Sequence, residues 1–479
     1  MSRLEPTLLK LLRLGRGNGA RECLRVGAEA VEHVMSCVLE DPRWDRQVEQ
    51  REQYYARLLF EFNADVIPLQ RHLLHDHEKP DESDFWLAIG VLADMAKRGH
   101  AGASEAVAEA IGRGCRWRAC LDALEAAGGE SLVGVVVRAK HVERLLNAVD
   151  AETLADAART VAAPWEEWAA QVPSLRFVSG ARAHRAAEPK PMSGPVQWIA
   201  SRIGVREPPA ISSQMTTSEL VDIAAARGTL HHVEKILRVR TDESTTRVLL
   251  DAAAAGTPEQ RLLALRLLGE RACLDLVAEA EQFLRDQSRV SLHERSQHRE
   301  RHAFMEYLKR LPADAILERG REWFSDQWPL AVAGEHILAR HATLDDRVML
   351  EEAGSTALGS RNMYRLCAVV DALATIGARE SLPFLAEVYS TAPYSHARGR
   401  VVSALLPHAS DDVANELIVE ALWDCEADAR ECGCTAVTAD DIVSAARLAE
   451  MANDEFEEPD VRRAAQRVLD NSSGSAPAS

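Results

Sequence analysis

Four segments decide the fold: RLCAVVDA (365–372), RGRVVSAL (398–405), RECGCTAV (430–437) and RRAAQRVL (462–469). Each opens on arginine and places an apolar or small residue three and seven positions later. Arg365 is followed by Ala368 and Ala372, and Arg398 by Val401 and Leu405; Arg430 precedes Gly433 and Val437, and Arg462 precedes Ala465 and Leu469. The arginines stand 33, 32 and 32 residues apart. Offsets of three and seven lie on one helical face. A period of roughly 30–45 residues signals stacked helical hairpins, each covering an apolar flank that its neighbour cannot bury alone.

The same pattern recurs upstream in the helix expected from Arg261 to Leu268, which Thr257-Pro258-Glu259-Gln260 opens. A capping Thr, a Pro at the first helical position and a Gln at the third form a strong start signal. Thr216 and Glu219 make a second capping box. In the clearest repeat, Leu366, Val369, Val370, Leu373 and Ile376 form one apolar stripe, Gly377 ends it, and Leu382, Leu385 and Val388 mark the return helix. Helices are expected throughout residues 1–163, among them Cys23–Leu39 and Arg46–Phe62. Gly15, Gly17 and Gly19 follow a helix rather than a strand and lack phosphate-loop spacing, so they read as a turn.

This repeat, over residues 258–470 chiefly, resembles HEAT-repeat (armadillo-like) α-solenoids. The resemblance implies an all-α solenoid of stacked helical hairpins in two halves joined by a connector that contains Pro and Trp. The expected divisions are a helical region at 1–163, an irregular Pro-rich connector at 164–216, HEAT-like repeats at 217–471 and a disordered tail at 472–479. The resemblance further implies a non-catalytic scaffold whose concave face, lined by the second helix of each pair, meets a protein partner. Some HEAT-like proteins are DNA glycosylases and others chromophore lyases, so an enzyme of either kind is the alternative. No active-site motif of either maps onto this chain, so no catalytic residue, cofactor or metal ligand is expected.

Composition narrows the partner. The chain of 479 residues is 47% hydrophobic but only 5% aromatic, which suits closely packed helices of Ala, Leu and Val. Net charge is −18, and residues 401–479 hold 17 acidic against 5 basic side chains. Nucleic-acid affinity comes mainly from cations on phosphate, so that third is an unpromising nucleic-acid surface. Asp412, Glu416, Glu420, Asp440 and Asp441 are the candidate partner-binding residues, and they suit a basic protein partner. Nine dispersed cysteines suggest free thiols in a reducing cytoplasm. No signal peptide and no membrane span are expected.

Three clusters resemble sites and read as structure. His72, His75 and His77 have no further ligand at fixed distance and read as loop histidines. His298 and His302 share a helix face, but Arg299 and Arg301 would repel a cation there. Cys425, Cys432 and Cys434 read as small thiols filling helix contacts. Trp165, Trp168, Phe177 and Trp198 read as pins that hold the proline-rich segment against the helices.

Overall fold

The computed structural model describes residues 7–75, 85–161, 163–175, 214–227, 230–287, 295–437 and 442–473. The fold is all-α, 79% helical, with no strand among the described residues. None of its helices is long and apolar enough to cross a membrane. The chain divides into two compact units: Met1–Pro189 with Arg379–Ser479, and Lys190–Ala378.

In the central unit, Pro258–Glu270 packs on Arg295–Arg310, Ala313–Phe324 on Leu330–His341, and Leu330–His341 on Met363–Ile376. The Thr257 and Gln260 side chains each bond the other's backbone N–H, completing the expected capping box. Leu263, Leu267, Leu268, Phe304, Tyr307 and Trp323 form a continuous buried core. Gly334 permits close approach: a Cβ there would stand 2.4 Å from the Phe324 backbone nitrogen. The stripe read at Leu366, Val369, Val370 and Leu373 is buried, and Gly377 adopts φ 61° as the left-handed stop.

The other unit brings the two ends of the sequence together. Its C-terminal part stacks Ser395–Leu405 on Ala427–Ala436, and Ala427–Ala436 on Pro459–Ser473. The intervening helices Leu382–Thr391 and Asp412–Ala421 pack on each other. Its N-terminal part runs from Leu8–Leu14 through Gly17–Val26 and Val31–Leu39 to Trp165–Gln171. Gly17–Val26 contacts Asp412–Ala421 directly.

Two local readings change. The helix expected from Arg46 begins only at Glu52. Residues 41–51 instead form a loop folded around Arg43, which reaches Asp41, Glu52 and the Glu49 carbonyl. The opening of the segment at 164–216 is helical rather than irregular, because Pro164 sits at the N-cap and leaves Trp165–Gln171 uninterrupted. Trp165 and Trp168 are buried edge to face, 5.2 Å apart, as pins of that helix. Phe177 and Trp198 lie outside the described residues.

Leu373 is 1% exposed on the stripe, so Leu373→Asp must desolvate a carboxylate or protonate it. We expect a loss of about 3–5 kcal/mol in chemical denaturation, and an unchanged midpoint would refute this helix register.

Candidate functional site

The residues that join the two ends of the sequence are polar and buried, which is unusual for a helical core. The joint starts at the glycine triplet. Gly15 (φ 69°) caps the first helix, and its carbonyl accepts from the Cys425 N–H at 3.0 Å. A Cβ on Gly15 would meet Cys425 Sγ at 2.4 Å, and one on Gly17 would meet the Glu420 carbonyl oxygen at 1.9 Å. Gly15 is thus a turn, as read, whereas Gly17 and Gly19 lie within the helix Gly17–Val26. Gly15 and Gly17 are also the surface that admits the C-terminal segments to contact.

Charge follows the same seam. Arg16 donates from Nε to Glu420 Oε1 at 2.9 Å and from Nη2 to Oε2 at 2.6 Å. Asn18 adds its backbone N–H at 3.1 Å and its Nδ2 at 2.8 Å to the same carboxylate. Arg398, wholly buried, pairs both oxygens of Asp424 at 2.7 and 3.1 Å and reaches the Gly15 carbonyl at 3.3 Å. Arg430 donates to the Asp424 and Cys425 carbonyls and to Glu457. Two of the four repeat arginines are therefore internal staples.

A third group sits at Ser395. Its hydroxyl lies 2.5 Å from Glu49 Oε2 and also contacts Glu426 Oε1. One hydroxyl has one proton to give, so it can donate to only one of the two carboxylates at a time. Burial pushes Glu426 upward, against the pull of His396. Glu49 is held below the usual carboxylate range: Arg51 and Ser395 outweigh its burial. Glu426 is thus the more readily protonated of the two.

Two clefts open beside this seam. The larger, about 1750 Å³, is lined by Leu8, Leu11, Arg21, Leu382, Ala386 and Val413, among others. The second, about 800 Å³, takes one wall from a single stripe of the helix Trp86–Lys97: Trp86, Gly90, Asp94 and Lys97. Gly90 makes room for Glu52, whose Cγ would stand 2.3 Å from a Cβ there. Burial lifts Glu52, Asp94 and Asp122 alike, Asp94 to about 6. Carboxylates with raised pKa lining a cleft make it a candidate site.

The acidic residues singled out from sequence separate. Asp412 and Glu416 are exposed on the helix Asp412–Ala421. Glu420 is corrected: it is 2% exposed and bound to Arg16, so it cannot face a partner. Asp440 and Asp441 lie outside the described residues. His72 stacks on Phe85 with ring centroids 4.5 Å apart, while His77 lies outside the described residues. His302 is exposed, and the His298 side chain is not among those described. Cys425 and Cys434 are buried, and burial raises the Cys434 thiol to about 12. Sequence reasoning missed Asp94, Glu52 and Trp86; the i, i+4, i+8, i+11 spacing of Trp86, Gly90, Asp94 and Lys97 was their signal.

Two measurements probe this region. Breaking a buried pair from one side strands a charge, at about 3–5 kcal/mol. Arg16→Ala and Glu420→Ala should each show that loss in urea denaturation, and the double variant should lose far less than their sum. Additive losses would deny the coupling. Burial lifts the Asp94 pKa to about 6, above the ordinary 3.8 of an aspartate, so its ionisation opposes folding as pH rises through that window. Asp94→Asn should therefore gain about 2–3 kcal/mol at pH 8 and almost nothing near pH 4. A gain independent of pH would show that Asp94 is not perturbed.

Comparison with protein-family models, curated proteins and solved structures finds no match to this chain.

Proposed function

We propose that the protein is a non-catalytic interaction scaffold of HEAT-like hairpins, and that a helical segment of a partner protein docks in the 1750 Å³ cleft. One observation carries this reading: the cleft is lined by both apolar and charged side chains. Leu8, Leu11, Leu382, Pro383, Ala386 and Val413 supply the apolar lining. Val413 is 48% exposed, a large apolar side chain left uncovered at the edge. An amphipathic helix laid in a groove needs this combination, with anchors at i, i+3, i+4 and i+7 and polar contacts around them.

The cleft carries both signs of charge, with Lys10, Arg21 and Glu387 in its lining, and a basic segment is placed on its C-terminal wall. Arg379 is already bonded to Asp411 at 2.6 Å, and Arg25 to Glu22, so these cations are neutralised within the chain. Glu387 on that wall is exposed, as are Asp412 and Glu416, which flank Val413 in sequence. The alternate packing of Ser395–Leu405, Ala427–Ala436 and Pro459–Ser473 supports the stacked-hairpin reading, since helices two apart in the chain touch as successive repeats do.

The test begins with affinity purification from the native cell and continues with the purified partner. Ala386→Arg fills the cleft and should weaken binding about 30-fold or more. Reversing Asp412 and Glu416 to Lys should slow association about 10-fold at low salt and little at high salt, with the melting temperature almost unchanged. A partner that binds Ala386→Arg as tightly as the parent would place the docking surface elsewhere.

A further inference from the structure

We propose that the 800 Å³ cleft is a binding site for a linear aliphatic polyamine, with Asp94 at its floor and Trp86 as its apolar wall. The inference stands on Asp94. It is 9% exposed, lines the cleft, and its carboxylate accepts no hydrogen bond among the described residues. A buried carboxylate without donors is costly, and native structures rarely leave one so. Its helix neighbours Lys97 and Arg98 attract it through space without bonding it: both sit over the Phe456 ring, 5.5 and 4.6 Å from its centre.

The other cations of the cleft are also engaged elsewhere. Arg43 holds both oxygens of Asp41 and one of Glu52. Arg430 is committed to Glu457 and to two backbone carbonyls. Arg46 lies 3.6 Å from Asp41. The acidic groups of the cleft are spread along it, from Asp94 to Asp122 on the helix Trp117–Val136 and to Asp428 and Glu458 on the C-terminal side, where Glu458 accepts from Gln53.

That spread selects the ligand class. No group of three acidic, histidine or cysteine side chains among the described residues is placed to hold a metal ion. Separated carboxylates suit separated charges, as on an alkyl chain bearing several ammonium groups. The chain needs an apolar surface between its charges. Trp86, 42% exposed at the cleft, offers a ring face on which methylenes and ammonium groups both pack favourably. Ala123, Ala126 and Ala127 line the opposite wall without competing donors.

Isothermal titration calorimetry of the full chain with spermidine tests this. We expect one saturable site at pH 7, weakened at least about 10-fold in Asp94→Asn and about 3- to 10-fold in Trp86→Ala. Near pH 6 the cation should drive a proton off Asp94, so the heat should depend on the buffer's ionisation enthalpy. Glu52, Asp122, His396, Glu426, Asp428 and Glu458 face the same space and remain in Asp94→Asn. The difference between parent and variant therefore isolates the Asp94 proton. Asp94→Asn is expected to be the more stable protein, which keeps lost binding distinct from lost folding. The proposal fails if millimolar spermidine shows no saturable heat, or if Asp94→Asn binds as the parent does. It also fails if only magnesium ion or a lysine-rich peptide binds.

Discussion

The Arg16–Glu420 pair and the glycine contacts beside it hold one unit together across the length of the sequence. Neither alone would suffice. The glycines remove the side chains that would keep the backbones apart, and the pair fixes which carboxylate the approach brings in. A buried ion pair is poor evidence of net stability, since desolvation of both charges opposes their attraction. Its value lies in specificity. Glu420 with four donors is satisfied in one arrangement only, and any other docking of the Asp412–Ala421 helix would bury that charge alone.

The same logic extends along the seam. Arg398 answers Asp424 and Gly15, and Arg430 answers the carbonyls of the turn that carries Cys425. Each arginine leaves a stacked helix to satisfy a turn next to it, so the turn conformation and the helix stacking are set by one side chain. Arginine suits this role better than lysine because its planar fork can serve a carboxylate and a carbonyl at once. Tyr54 and Tyr55 add neutral links, donating to the carbonyls of Arg16 and Leu12 at 2.8 Å each.

Helical class and the buried stripe at Leu366–Leu373 were legible because periodicity reports burial within one element. The meaning of the arginines was not. At a helix start a cation normally reads as solvated, and only contact with residues nearly four hundred positions away makes Arg398 internal. Glu420 failed for the same reason: it follows Asp412 and Glu416 at spacing four, yet the helix face turns beneath Gly17 between them. The glycine triplet recorded that close approach but carried no address for its partner. The stretch 46–51 was misread as helix because it has helical composition, while the buried charge of Glu49 outweighs propensity.

Two kinds of buried acid coexist in this unit, and the contrast separates architecture from site. Glu420, Asp424, Glu49 and Glu457 each meet an arginine. Their charges are consumed by the fold. Glu426 shares Ser395 with Glu49, so it too is bonded within the chain. Asp94 has no such answer from protein donors, although arginines are plentiful and Lys97 stands one turn away. A chain that pairs its other buried acids so consistently leaves Asp94 open where a cleft and an exposed tryptophan meet. The unsatisfied charge is thus the part of the seam that folding does not use, and an external cation is the partner its chemistry requires.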